Sequence, residues 1–257
     1  MSKTVVIALA LSLASLRLAA AAEGPDAPLA WQEWRAGNEI SNTASLQRGA
    51  RNFANYCAGC HSLKYLRYSR MATDLMVPPA LLKGRLMPDS ATPADYYTHT
   101  SIAPADAVAW FGKEPPDLSL IARSRGPDRI YQFLKTFYVD PTRPNRTNNL
   151  VVNNPAMPAV LSELEGVKAA VFKNEETTAD GKTMVTKRFS HFETVSPGSL
   201  SPAQFDEFVR DTVNFLDYAG EPAQVERRSI GVWVVLFLLT FTWMAWLLKK
   251  EYWKDVH

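Results

Sequence analysis

Asn55-Tyr56-Cys57-Ala58-Gly59-Cys60-His61-Ser62-Leu63 holds the only two cysteines of a 257-residue chain, with a histidine directly after the second. At this spacing two thiols reach the two vinyl groups of one porphyrin while the adjacent imidazole reaches its iron. Cys57 and Cys60 are therefore candidates for covalent attachment of one haem c, and His61 for an axial iron ligand. A disulfide, a thioredoxin-like redox pair and part of a zinc site are the other readings of the two cysteines. None accounts for His61 as directly. A redox pair opens a helix after a strand in a βαβ unit, whereas the residues before Cys57 have helical spacing and no parallel-sheet pattern is present.

In that preceding stretch, residues 46–56, Leu46, Gly49, Ala50 and Phe53 share one helical face. A mid-helix glycine is costly unless another backbone must approach there, so Gly49 predicts a tight crossing with a second helix. The expected partner begins at Ser201-Pro202-Ala203-Gln204, which supplies an N-cap, a first-turn proline and the Gln of a capping box. Its stripe of Phe205, Phe208, Val209, Thr212, Phe215, Leu216 and Ala219 ends at Gly220 and Pro222. Between the two helices the chain is rich in proline and aromatic residues, with shorter helical patterns near 93–103 and at 127–137. Long loops are uncommon in compact domains unless they wrap a ligand or do functional work. Strand-like runs at 169–173 and 183–189 flank Ala179-Asp180-Gly181 and predict a hairpin. No internal repeat or low-complexity tract is present.

An electron-carrying haem iron needs a second axial ligand, and a Met thioether favours the reduced state. Met71, Met76, Met87, Met157 and Met184 compete. Met157 is preferred because Asn154-Pro155-Ala156-Met157-Pro158 is stiffened by two prolines, which lowers the entropy lost when the segment is fixed. The other methionines read as core filler, and His99 and His191 as ordinary polar side chains. Arg123 and Arg125 are candidates for a charge-assisted clamp on the haem propionates.

The two chain ends speak to location. Residues 1–22 combine Lys3, an apolar run and a small-residue end at Ala19-Ala20-Ala21-Ala22, the build of a removable secretory signal; Arg17 leaves the run too short to span a bilayer. Residues 230–248 contain no charged side chain and are about the length that crosses the hydrocarbon core. Export of the N-terminus would put residues 23–228 in the periplasm, an anchor at 229–249 in the bacterial inner membrane, and a cytoplasmic tail at 250–257. Without Lys3 and Arg17, the 28 basic and 26 acidic side chains of the whole chain become 26 of each. A near-neutral chain gives no basic nucleic-acid surface.

Several further segments resemble one known family, the cytochrome c1 haem subunits of the respiratory ubiquinol–cytochrome c reductase. They are Pro115-Pro116-Asp117-Leu118-Ser119, Ile121-Ala122-Arg123-Ser124-Arg125, Asn148-Asn149-Leu150-Val151, Asn154-Pro155-Ala156-Met157-Pro158, Val213-Asn214-Phe215-Leu216 and Glu221-Pro222, in order, between Trp31 and the C-terminus. Short loops such as Trp110-Phe111-Gly112-Lys113 resemble the bacterial members more than the mitochondrial ones. The resemblance implies a mainly α, cytochrome c-like haem domain with loop and hairpin insertions plus one C-terminal transmembrane helix. It implies Met157 as sixth ligand, Arg125 on a propionate, and the Pro116 carbonyl accepting from the His61 ring. It also implies a dimeric complex with cytochrome b and the Rieske iron-sulfur protein, from which the subunit takes an electron that it passes to a cytochrome c. Alone, such a subunit breaks no bonds. Two rivals are a stand-alone anchored cytochrome c feeding a terminal oxidase and a tethered periplasmic thiol oxidoreductase.

Overall fold

A computed structural model describes residues 30–88, 92–179 and 182–255. The predicted leader lies outside them. The chain divides into two units, residues 1–34 and 35–257. Within the first, Trp31–Glu33 forms one 3-10 turn; the second holds every other described element.

Helix α1, Thr43–Tyr56, starts three residues before the expected Leu46 because Asn42 caps it, its side chain accepting from the Ser45 N–H. After β1 (Leu63–Arg67) and α2 (Tyr68–Asp74), the helix expected near 93–103 is absent. Tyr97–Thr98 is instead a short strand, β2, paired antiparallel with β1. The helix begins beyond it at Pro104, as α3 (Pro104–Phe111), with the proline in its first turn. Trp110 and Phe111 are the end of that helix rather than loop. Gly112 closes it in the left-handed conformation that a glycine adopts without a Cβ penalty.

Helices α4 (Ile121–Arg125) and α5 (Pro127–Lys135) lead into the antiparallel pair β3 (Phe137–Val139) and β4 (Thr147–Asn149). The predicted hairpin exists and is much longer than its strand-like core, with β5 (Gly166–Ala179) pairing along β6 (Lys182–Pro197).

Helix α6, Pro202–Gly220, has the predicted capping box at Ser201 and Gln204 and ends where Gly220 was expected to end it. It crosses α1 at Gly49, where an added Cβ would run into the Asp211 carbonyl and the Phe215 side chain. Around that crossing, buried Asp211 accepts from the Ser45 hydroxyl and from the Arg48 guanidinium, and Asn52 donates to the Phe208 carbonyl. The rings of Phe53 and Phe215 meet with centroids 5.8 Å apart. On another side of α6, Asp206 accepts from Tyr131 and Lys135 of α5, and Arg210 donates to Asp206 and to the Ala36 carbonyl. The core is thus helix on helix, with α6 as its axis.

Helix α7, Gln224–Tyr252, has no buried residue and is long and apolar enough to cross a membrane. The architecture is the mainly α domain with a hairpin insertion and a C-terminal apolar helix that the sequence implies.

Candidate haem site

The turn after α1 holds the two thiols. The Cys57 N–H donates to the Phe53 carbonyl, and the N–H groups of Cys60 and His61 fold back onto the Cys57 carbonyl. Neither cysteine is in a disulfide, and both are half-buried. Burial, with a smaller repulsion from Cys60, pushes the Cys57 thiol up to about 12. A thiol–disulfide enzyme needs the opposite, a thiolate stabilised near neutral pH. Among the described residues no three His, Cys, Asp or Glu side chains converge as a zinc site would require.

The His61 ring lies with its Nδ1 2.8 Å from the Pro116 carbonyl oxygen. A carbonyl only accepts, so Nδ1 carries the hydrogen and Nε2 keeps a lone pair. Burial lowers the His61 pKa and outweighs Pro116 and Asp117, which both favour the cation. The ring is therefore neutral, in the tautomer that can ligate a metal through Nε2.

The segment that presents Pro116 is laced onto the chain just beyond His61. The Leu118 N–H donates to the Ser62 carbonyl (2.9 Å), the Lys64 N–H to Asp117 Oδ2 (2.9 Å) and the Tyr65 N–H to Ser119 Oγ (3.1 Å). From the other side Thr100 donates its hydroxyl to the Gly59 carbonyl and its N–H to Ser62 Oγ.

Met157 is half-buried on the wall of a cleft of about 470 Å³, together with Leu134, Phe137, Val139, Leu161 and Val167. That volume is in the range of sites for small molecules and cofactors. Cys60 lines a separate hollow of about 10 Å³. Met71 and Met87 are buried in the core, Met76 is exposed, and the Met184 side chain lies outside what is described. His99 and His191 are exposed.

The two arginines separate. Arg123 donates to Glu221, whereas the exposed Arg125 makes no side-chain hydrogen bond or ion pair among the described residues. One pair on the cleft wall had no signal in the sequence. Lys168 donates to Glu165 and to the Lys135 carbonyl, with its ammonium 4.3 Å from the Phe192 ring centroid. Burial pushes Lys168 down and Glu165 up, each partly offset by the other.

Two free thiols and an imidazole in the ligating tautomer fit a haem attachment site, while the thioether of Met157 stands on a cleft that none of those three residues lines. With the helical fold and the apolar C-terminal helix they define a membrane-anchored haem protein of the cytochrome c class. The model of the Cytochrome C1 family matches residues 36–256. Cytochrome c1 of Allochromatium vinosum is 46% identical over 85% of this chain and 87% of its own length. The ammonia monooxygenase gamma subunit of Nitrosomonas europaea is 37% identical over 83% of this chain and 84% of its own. The mitochondrial cytochrome c1 haem protein of Saccharomyces cerevisiae is 24% identical over 95% and 78%. The chain belongs to the cytochrome c1 family, the haem-bearing electron-transfer subunits of the respiratory cytochrome b–c1 complex.

Proposed function

We propose that Cys57 and Cys60 would hold one haem c through thioethers, that His61 Nε2 and Met157 Sδ would ligate its iron, and that Arg125 would pair with a propionate. The haem supplies a one-electron redox centre. The chain's own part is to hold ligands and set the potential through them. Pro116 fixes the plane and tautomer of His61 and raises its basicity, and Asp117 and Ser119 keep that carbonyl in place. Met157 offers a neutral thioether, which favours the reduced state. Arg125 is the arginine left for a propionate because Arg123 is engaged by Glu221.

The subunit takes an electron from the Rieske iron-sulfur protein and passes it to a cytochrome c, within a dimeric complex that includes cytochrome b. The leader at 1–22 is removed, the haem domain at 23–228 faces the periplasm, and the helix at 229–249 anchors it in the inner membrane with 250–257 in the cytoplasm. The observation that carries this reading is the 2.8 Å bond from His61 to Pro116, which prepares the histidine of the paired-cysteine motif as a metal ligand.

The test is purification in mild detergent. The expected result is a mature chain heavier by one haem, staining for haem on a denaturing gel, and accompanied by b-type haem and an iron-sulfur protein. A chain without the added mass ends the haem reading; a haem-loaded chain that leaves the membrane alone ends the complex reading.

A further inference from the structure

Asn148 is buried, at 3% exposure, at the centre of the loop network beside the cleft. Its Nδ2 donates to Asp140 Oδ2 (2.9 Å) and to Asn153 Oδ1 (3.1 Å), and its Oδ1 accepts from the N–H groups of Asn149 (2.9 Å) and Asn154 (2.8 Å). A primary amide has two donor hydrogens and two acceptor lone pairs. All four are used, so no rotation of the side chain improves its bonding.

Three consecutive residues before the methionine are tied down by this network. Asn153 Oδ1 accepts from Asn148 and from Arg143 (3.0 Å), the Asn154 N–H is held by Asn148, and the Pro155 carbonyl accepts from Asn145 Nδ2 (3.2 Å). Asn154 sits at φ +55°, a left-handed conformation that Asn tolerates better than most residues. Only Ala156 then stands between the last tie and Met157, and Pro158 restricts the far side. The same hairpin lines the cleft, because Phe137, Val139, Arg146 and Thr147 share its wall with Met157.

We propose that Asn148 is a positioning residue for Met157: by clasping the β3–β4 loop to residues 153–154 it fixes where the thioether stands on the cleft wall. This rests on the reading of Met157 as an iron ligand. Its outer anchor is Asp140, which also accepts from the Thr142 hydroxyl and N–H and from Arg143. Those bonds, with that of Asn148, hold the Asp140 carboxyl down at about 2, so the anchor stays ionised over the working pH range. Removing the Asn148 amide leaves the N–H groups of Asn149 and Asn154 without their acceptor and leaves Asp140 Oδ2 and Asn153 Oδ1 to Arg143 alone, so the segment ahead of Met157 loses its register.

The test uses the full chain, loaded with haem in its complex. Carbon monoxide is the probe, because a firmly held thioether keeps it off the ferrous iron, and the near-infrared sulfur-to-iron band of the ferric form is read in parallel. Asn148→Ala is expected to raise carbon monoxide affinity about tenfold, equivalent to about 1.4 kcal/mol of lost thioether ligation, and to weaken the band. Asn148→Asp keeps the shape but sets a second carboxylate against Asp140, with Arg143 and the Tyr138 hydroxyl as the other ionisable groups nearby. Like charges raise one of the two pKa values, so this variant should admit carbon monoxide at about pH 8 and exclude it near pH 5, where one carboxyl is protonated and donates to the other.

Asn145→Ala, which removes the tie to Pro155 and the acceptor of the Thr147 N–H but leaves the Asn148 amide in place, is expected between the parent and Asn148→Ala and serves if the latter does not load haem. Met157→Leu run alongside separates the two readings. If it opens the iron while Asn145→Ala and either Asn148 variant exclude carbon monoxide as the parent does, the clasp falls and the ligand stands. If Met157→Leu itself keeps the band and excludes carbon monoxide, the ligand reading falls, and the clasp with it.

Discussion

Gly49 of α1 and Phe215 of α6 meet so closely that a Cβ built on the glycine would lie 2.6 Å from the Cβ of the phenylalanine, and closer still to the Asp211 carbonyl oxygen. Both obstacles are backbone or the root of a side chain, so neither can rotate away. Gly49→Ala would gain helix propensity of about 1 kcal/mol and must spread the crossing to accept the methyl group. Overpacking of this kind costs about 1–3 kcal/mol, and a main-chain obstacle puts the site at the upper end. The expected outcome is a lower melting temperature and less haem-loaded protein, read by thermal unfolding of the detergent-solubilised complex. An unchanged or raised melting temperature would show that the helices can separate without loss.

Asp206 lies among Tyr131, Lys135 and Arg210. Burial alone would raise its pKa; the three donors outweigh it and bring the carboxyl from 3.8 to about 2. A depressed folded-state pKa contributes stability that is present above the unfolded value and is lost as pH falls through the folded one. The window is therefore from about pH 4 down to about pH 2. Asp206→Asn should be less stable than the parent at neutral pH, with the gap closing across that window. Melting curves that stay parallel from pH 5 to pH 2, within about 1 °C, would remove Asp206 from the acid response.

Arg125 and Arg123 share one short helix and should behave differently when neutralised. A positive charge near the haem favours the form of the iron with fewer positive charges, so Arg125→Gln is expected to lower the midpoint potential by on the order of 20–60 mV, where 59 mV is a factor of ten for a one-electron couple. Arg123→Gln breaks the 2.5 Å pair with Glu221 instead. It should leave the potential nearly unchanged and act on stability. Redox titration of both variants decides, and equal shifts would dissolve the distinction.

The parts of this fold legible in the sequence are those where one residue type has a single physical use. Gly49 could only mean a close approach, and Ser201-Pro202-Ala203-Gln204 only a helix start. The Cys57, Cys60 and His61 motif pointed to haem, the cofactor that the cytochrome c1 family implies, because its spacing suits a rigid porphyrin. Boundaries resting on pattern were less secure. Residues 93–103 have helical spacing, yet Tyr97 and Thr98 pair with β1, and the helix waits for the proline at 104. The hairpin extends well past its apolar stretch because the residues that follow that stretch, rich in Lys, Glu and Thr, carry no apolar alternation to read. Lys168 acts through the Lys135 carbonyl and the Phe192 ring, both distant in the chain, and Asn148 through loop geometry. For Asn148 a signal did exist, in five asparagines between Asn145 and Asn154, a density that side-chain ties to backbone explain better than solvation.

Separation of α7 from the haem domain follows from what holds the two together. No residue of α7 is buried, so the helix adds nothing to the core. Among the described residues its side-chain hydrogen bonds to the domain come from Arg227, which donates to Glu221 at 2.6 Å, and Glu221 is held independently by Arg123. An exposed ion pair contributes about 0–1 kcal/mol, and in a domain of this size 1 kcal/mol moves the melting temperature by about 2–4 °C. A chain ending at Ala223 should therefore be recovered without detergent, keep its haem spectrum, and melt within about 4 °C of the anchored protein. The comparison is a thermal melt of both forms followed at the haem absorbance. A drop of more than about 10 °C, too large for one surface ion pair, would make α7 part of the domain's own packing rather than an anchor.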